Sequence, residues 1–193
     1  MAGMIPPAPK PPVAPRPLTV APQAPATPAE APVLQWASIY AHTEGICVQT
    51  CSGFARAAHD LHGRTVFTSF QAGPAALGEG LRAVLAASRV LDAAEQEVFF
   101  ASRSLGENYR TWIAQVQAGL GLPSRQALFH GLRHCVVTRT GSTLRIRPTR
   151  HDPANPESWS AEGIGDDQTV LVPDRATAEA VGQAVLLAIG RCT

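Results

Sequence analysis

Three histidines are the first residues whose type and spacing could do chemistry. His130 and His134 stand four apart in "HGLRH". On a helix that spacing puts two imidazoles on one face, where they could share a metal ion with His151 as a third ligand. The residues between them are Gly131, Leu132 and Arg133, so the glutamate that serves as general base in a zinc-protease helix is missing. No pattern brings His151 or a cysteine to the pair, and surface or boundary histidines are the plainer reading. A metal-dependent enzyme using His130, His134 and His151 is therefore kept as an alternative.

Cys135 follows His134 directly, which invites a thiol–imidazole pair. Neighbours on a strand point to opposite faces and could not share a proton, so Cys135 reads as a small buried residue. His151-Asp152 has no nucleophile beside it. No glycine-rich phosphate loop follows a strand, and no Gly-x-Ser-x-Gly elbow occurs. The sequence offers no catalytic apparatus and calls for no cofactor.

Arg133, Arg139, Arg145, Arg147 and Arg150 gather around "HCVVTRTGSTLRIRPTR". An RNA-binding face would interleave aromatics for base stacking, and none is present. A solvated strand face is the expectation, with an RNA-binding regulator as the second alternative. Directly afterwards Asp152, Glu157, Glu162, Asp166 and Asp167 surround Trp159. An aromatic in a charged loop is a common interface anchor; the other reading folds Trp159 onto the sheet and leaves the acids solvated. Glu157, Trp159, Glu162, Asp166 and Asp167 form the candidate partner-binding set.

The elements that must position these residues follow from composition and periodicity. The chain has 193 residues, 16 Lys+Arg against 15 Asp+Glu, and 45% hydrophobic residues. That allows one sizeable core and gives no global attraction to nucleic acid or an acidic membrane. No apolar run approaches the ~20 residues of a membrane span. Four cysteines without paired spacing point to free thiols in a reducing cytosol. Residues 1–33 are mostly Pro and Ala; proline removes amide donors, so a semi-rigid tether or disordered tail is expected there.

From Leu34 onward the expected order is a short helix at Trp36–Ala41, a strand in "GICVQTC", a strand from Arg64 to Phe70, and a helix opening at Gly73-Pro74. Leu77, Leu81, Val84 and Leu85 line the inner face of that helix. Two helices follow in "DAAEQEVFFASRSL" and "GENYRTWIAQVQAGLGL", the second with Tyr109, Trp112, Ile113 and Val116 on one stripe. Ser124 caps a short helix. A hairpin turns at Gly141-Ser142, a long polar loop carries residues 152–167, and "QTVLVP" reads as a strand inside the sheet. Thr177 caps a final helix whose core stripe is Val181, Val185, Ala188 and Ile189. "LGEGLRAVLAASR" and "VGQAVLLAIGRC" repeat one phrase, and Thr65-Val66 precedes Gly78 by the same interval as Thr169-Val170 precedes Gly182. The two glycines predict close backbone approaches. The fold class is α/β: one domain with a mixed β-sheet, two strand–strand–helix half-repeats and bridging helices.

At these residues the chain also resembles a family. "WASIYAHTEGICVQTCSGFARAAHD", "LGEGLRAVLAASR", "YRTWIAQVQAGLGLPSRQALFHGLRHCVV", "LRIRPTRHDPANPESW" and "VGQAVLLAIGRC" occur in the order seen in the immunity proteins of bacterial contact-dependent growth inhibition. Pro148, His151 and Trp159 match a Pro-x-x-His step before a Trp. Gly190 departs from the pattern, standing where a Ser usually precedes Arg-Cys, and the Pro/Ala segment has no counterpart. The resemblance spans roughly residues 35–192. It implies a cytosolic, non-enzymatic protein that binds the C-terminal toxin domain of a contact-dependent inhibition protein, often a nuclease, and it transfers no binding surface.

Overall fold

The computed structural model describes residues 34–193; the Pro/Ala-rich segment 1–33 lies outside them. Its centre is an antiparallel pair, β1 (Leu34–His42) against β5 (Arg133–Thr140). Each of these strands turns back into a hairpin, β1 with β2 (Gly45–Gly53) and β5 with β6 (Thr143–Pro148). The second hairpin turns at Gly141-Ser142 as the sequence predicts, with Gly141 at φ 55. A third strand then pairs with each outer arm, β4 (Thr65–Thr68) with β2 and β9 (Val170–Pro173) with β6, while the short β3 (Ala57–His59) extends the β4 side. All named strand pairs are antiparallel, and among the described residues a parallel contact enters only as the isolated bridge Gly53–Val90.

A helix follows each third strand: α1 (Gly73–Ala86) after β4 and α5 (Ala178–Gly190) after β9. The repeated phrase is thus a structural repeat. Its two helices lie side by side on one face of the sheet, over Ala37, Ile39, Ile46, Val48, Val137 and Ile146. Leu77, Leu81 and Val84 of α1 and Val181, Val185 and Ala188 of α5 are buried there. Each large aliphatic so buried stabilises by roughly 1.5–3 kcal/mol. Thr177 accepts a hydrogen bond from the Ala180 amide and starts α5 as expected.

The inserted segment between the halves, α2 (Ala93–Phe99), α3 (Ser102–Gly119) and α4 (Arg125–Phe129), supplies the cover for the other face. Trp112, Ile113, Val116 and Leu128 pack there around Cys47. β2 is buried along its whole length because both of its faces are covered.

Four sequence expectations are corrected. Trp36–Ala41 is strand, not helix: it lies at the sheet centre, where both faces bury apolar groups and period-2 alternation disappears from the sequence. The break between α2 and α3 falls at Phe100-Ala101, with Gly106 inside α3 rather than at its start. The polar loop contains a second small sheet, β7 (Arg150–Asp152) with β8 (Asn155–Ser160). β9 lies at the sheet edge, with Leu171 64% exposed, because only one of its faces meets a helix.

Candidate functional site

The β7–β8 hairpin folds back over the end of β5 and carries the candidate residues Glu157 and Trp159. Trp159 lies against the sheet: its Nε1 donates to the Leu132 carbonyl at 3.2 Å, and its ring contacts those of His151, His134, Tyr40 and Phe129. Of the two readings left open by the sequence, the folded-down one is observed. Glu157 accepts from the Tyr109 hydroxyl at 2.8 Å and from Arg125. The Arg125 hydrogen bonds hold its carboxyl below the usual range, against a small desolvation effect.

Glu162, Asp166 and Asp167 are exposed on the segment that follows. The two charge clusters of the sequence turn out to be one assembly, since the arginines hold the acidic segment in place. Arg145 pairs with Asp166 at 2.7 Å, Arg147 donates to the Ala161 carbonyl at 3.3 Å, and Arg150 to that of Glu162 at 3.4 Å. Arg191, after α5, donates to the carbonyls of Asp167 and Gln168. Arg139 is occupied by Gln35 and Asp174. Four of the five clustered guanidinium groups, all but that of the exposed Arg133, are engaged with their own chain, and nothing in the structure supports the RNA-binding alternative.

The three histidines do not converge on a metal site. His134 is in β5, not on a helix with His130, and its ring stacks on Tyr40 at 4.7 Å. Its nitrogens lie 3.3 Å from the hydroxyls of Ser38 and Thr149, and burial lowers its pKa to about 4. His130 and His151 border a separate open hollow beside Arg125 and Glu157. Among the described residues no group of three His, Cys, Asp or Glu could hold a metal. Cys135 points into the α1/α5 core, on the opposite face from His134, as strand alternation requires.

Between the hairpin, α3 and β3 is a cleft of about 260 Å³. Tyr40, His59, Tyr109, Trp112, Glu157 and Trp159 line it. The sequence did not single out this group. Tyr109 and Trp112 were legible as a helical stripe but read as core, and reading β1 as helix hid the direction of Tyr40.

Comparison with known proteins identifies the scaffold. The family model described as CDI immunity protein (CdiI) matches residues 35–192, nearly the whole described chain. The chain belongs to the CDI immunity protein family. This immunity protein is 29% identical over 170 residues to the immunity protein CdiI-YPIII of Yersinia pseudotuberculosis serotype O:3 (strain YPIII), covering 81% of this chain and 94% of that one. A Neisseria meningitidis protein of unknown function superposes with a TM-score of 0.77 at 27% identity, over 86% of this chain and 100% of the other. A chain from a CdiA-CT/CdiI toxin and immunity complex of Y. pseudotuberculosis superposes with a TM-score of 0.74 at 24% identity, over 84% and 99%, a likeness of fold. No helix among the described residues is long and apolar enough to cross a membrane.

Proposed function

We propose that this immunity protein neutralises its cognate contact-dependent inhibition toxin in the cytosol by binding the C-terminal toxin domain, without turnover of its own. The family match over residues 35–192 carries this reading. The side chains support the absence of turnover: the histidines are dispersed or hydrogen-bonded to hydroxyls, and Cys135 is sealed in the core. We place the toxin on the surface that bears the β7–β8 hairpin and the segment through Asp167, because that segment carries the exposed carboxylates Glu162, Asp166 and Asp167.

A nuclease toxin presents a basic site for phosphates, and exposed carboxylates are its natural complement. Glu162, Asp166 and Asp167 supply them, with Glu157 and Trp159 as the rigid wall behind. Replacing Glu162, Asp166 and Asp167 together by serine should weaken binding to the toxin domain encoded beside this gene, measured by titration calorimetry, and leave the fold intact. The loss should shrink at high salt, where screening removes the electrostatic part. Unchanged affinity and unchanged protection of cells would move the interface elsewhere. A parent protein that does not bind that toxin would overturn the functional reading itself.

A further inference from the structure

The last residues after α5 are tied to the chain entering the β7–β8 hairpin. The Thr193 main-chain oxygen accepts from the His151 amide at 2.7 Å, and the Thr193 amide donates to the Thr149 carbonyl at 3.4 Å. Between these contacts and α5 stands Cys192, partly exposed, with its sulfur 3.5 Å from that of Cys135 on β5. The Cys192 thiol also faces the His134 carbonyl at 3.2 Å, which leaves Cys135 to donate between the two sulfurs. The sheet separates the remaining thiols from this pair. Cys47 and Cys51 lie on its α3 side, whereas Cys135 and Cys192 pack in the α1/α5 core. Cys47 and Cys51 are four residues apart on one strand, so their α-carbons stand roughly 13 Å apart, too far for a disulfide.

We propose that Cys135 and Cys192 are a peroxide-oxidisable pair whose disulfide fastens the chain end, and with it the base of the β7–β8 hairpin, to β5. Hydrogen peroxide meets Cys192 from solvent, and the Cys192 sulfur attacks one peroxide oxygen. The O–O bond breaks, Cys192 becomes a sulfenic acid, and the other oxygen leaves as water. The Cys135 sulfur, already 3.5 Å away, then attacks the Cys192 sulfur. An S–S bond forms as the S–O bond breaks, and the Cys135 proton leaves with the hydroxyl as a second water. The two thiols lose two electrons and the peroxide gains them. The Cys135 hydrogen bond is the leading effect that holds the Cys192 thiol below its ordinary range, against its burial, and the Thr149 amide and Arg133 add to it. That favours the thiolate, the form that attacks. Cys135 needs no exposure of its own, because the sulfur it attacks is in direct contact. Thiol reductants reverse the step, so the pair responds to a transient oxidant and is no permanent bridge.

The test exposes the full chain to a few equivalents of hydrogen peroxide and then blocks the remaining thiols with iodoacetamide in denaturant. Peptide mapping without reductant should find Cys135 linked to Cys192 within one chain, with Cys47 and Cys51 alkylated. Dithiothreitol should restore both thiols. Cys135→Ala should stop at a Cys192 sulfenic acid, which dimedone traps; should that variant not fold, the linkage map of the parent carries the test. In the oxidised protein the His151 amide should exchange with deuterium severalfold more slowly than in the reduced one. No linkage within the chain, a bond between two chains, or Cys192 oxidised past sulfenic acid beside a free Cys135 thiol overturns the pairing. Linkage without slower exchange at His151 overturns the fastening of the hairpin.

Discussion

Gly182 of α5 lies against the main chain of Pro74 on α1, so close that an added β-carbon would stand 2.8 Å from the Pro74 Cα and nearer still to its carbonyl. Gly78 of α1 mirrors it: its β-carbon would fall 2.7 Å from the Ala178 carbonyl carbon of α5. The repeated phrase places one glycine on each helix, and each accepts the first turn of the other. The two half-repeats are thereby locked at their helices as well as at the β1–β5 pair.

Substituting either glycine tests that lock. The obstructing atoms are backbone and cannot swing away, so Gly182→Ala or Gly78→Ala must push the helices apart. Overpacking of this kind costs typically 1–3 kcal/mol, and the better helix propensity of alanine returns up to about 1. Each single variant should lose about 1–2 kcal/mol in urea denaturation. The double variant should lose less than the sum, because helices already parted accommodate the second methyl more cheaply. Single variants as stable as the parent would show that the helices slide freely.

Acid should weaken the fold well before the carboxylates titrate. His59 and His134 are held neutral by burial, each with a pKa lowered to about 4 from an ordinary 6.5. Between those values the unfolded chain binds protons that the folded chain does not, so stability falls as pH drops from about 6.5 toward 4. The slope is about 1.4 kcal/mol per pH unit for each histidine. Asp60 adds to this lower down. Desolvation raises its pKa but is outweighed by hydrogen bonds from Ser52, the His62 amide and Arg89. Its folded pKa is thus below the ordinary value, and its contribution disappears as pH falls through that lowered pKa. Urea midpoints from pH 7 to 4.5 should show the decline, and His59→Asn should remove about half of the early slope. A flat profile would mean that these rings take up protons in the folded state.

Removing residues 1–33 should leave the melting temperature unchanged. The segment is mostly Pro and Ala, with little apolar surface to bury, and the family match begins at residue 35. A drop of several degrees would show that it packs on the domain.

What the sequence revealed follows where the signal is local. Amphipathic α1, α3 and α5, the Gly141-Ser142 hairpin and the caps at Ser124 and Thr177 were all legible because residues a few positions apart decide them. Trp36–Ala41 was not, since only the sheet on both sides explains why Ala37 is buried on one face and Tyr40 packs on the other. The β7–β8 hairpin was hidden for the opposite reason: its residues are mostly polar, and Trp159 is its one large apolar side chain. Charges misled through pairing, for the arginine cluster and the acidic segment read as rival sites until Arg145–Asp166 joined them. Cys135 and Cys192 stand far apart in the chain, and their contact is visible only with β5 and α5 in place.

The last expectation concerns thiol chemistry at the end of α5. Cys192 is half-exposed, and its sulfur lies 3.5 Å from that of Cys135. With Cys135 as the donor, that contact is the leading cause lowering the Cys192 pKa, against the upward effect of its burial. The other three cysteines are buried. Burial pushes Cys51 up to about 11 and raises Cys47 further, while the hydrogen bond with Cys192 and burial raise Cys135. Because the thiolate is the reactive form, iodoacetamide at neutral pH should alkylate Cys192 alone in the native protein. The rate should titrate with an apparent pKa below the ordinary thiol value. Cys135→Ala removes the donor, so the midpoint should rise toward the ordinary thiol value of about 8.5 and the rate at pH 7 should fall several-fold. Mass spectrometry of timed digests reads both. Equal labelling of all four cysteines, or a Cys192 rate indifferent to Cys135, would break the link between the two sulfurs.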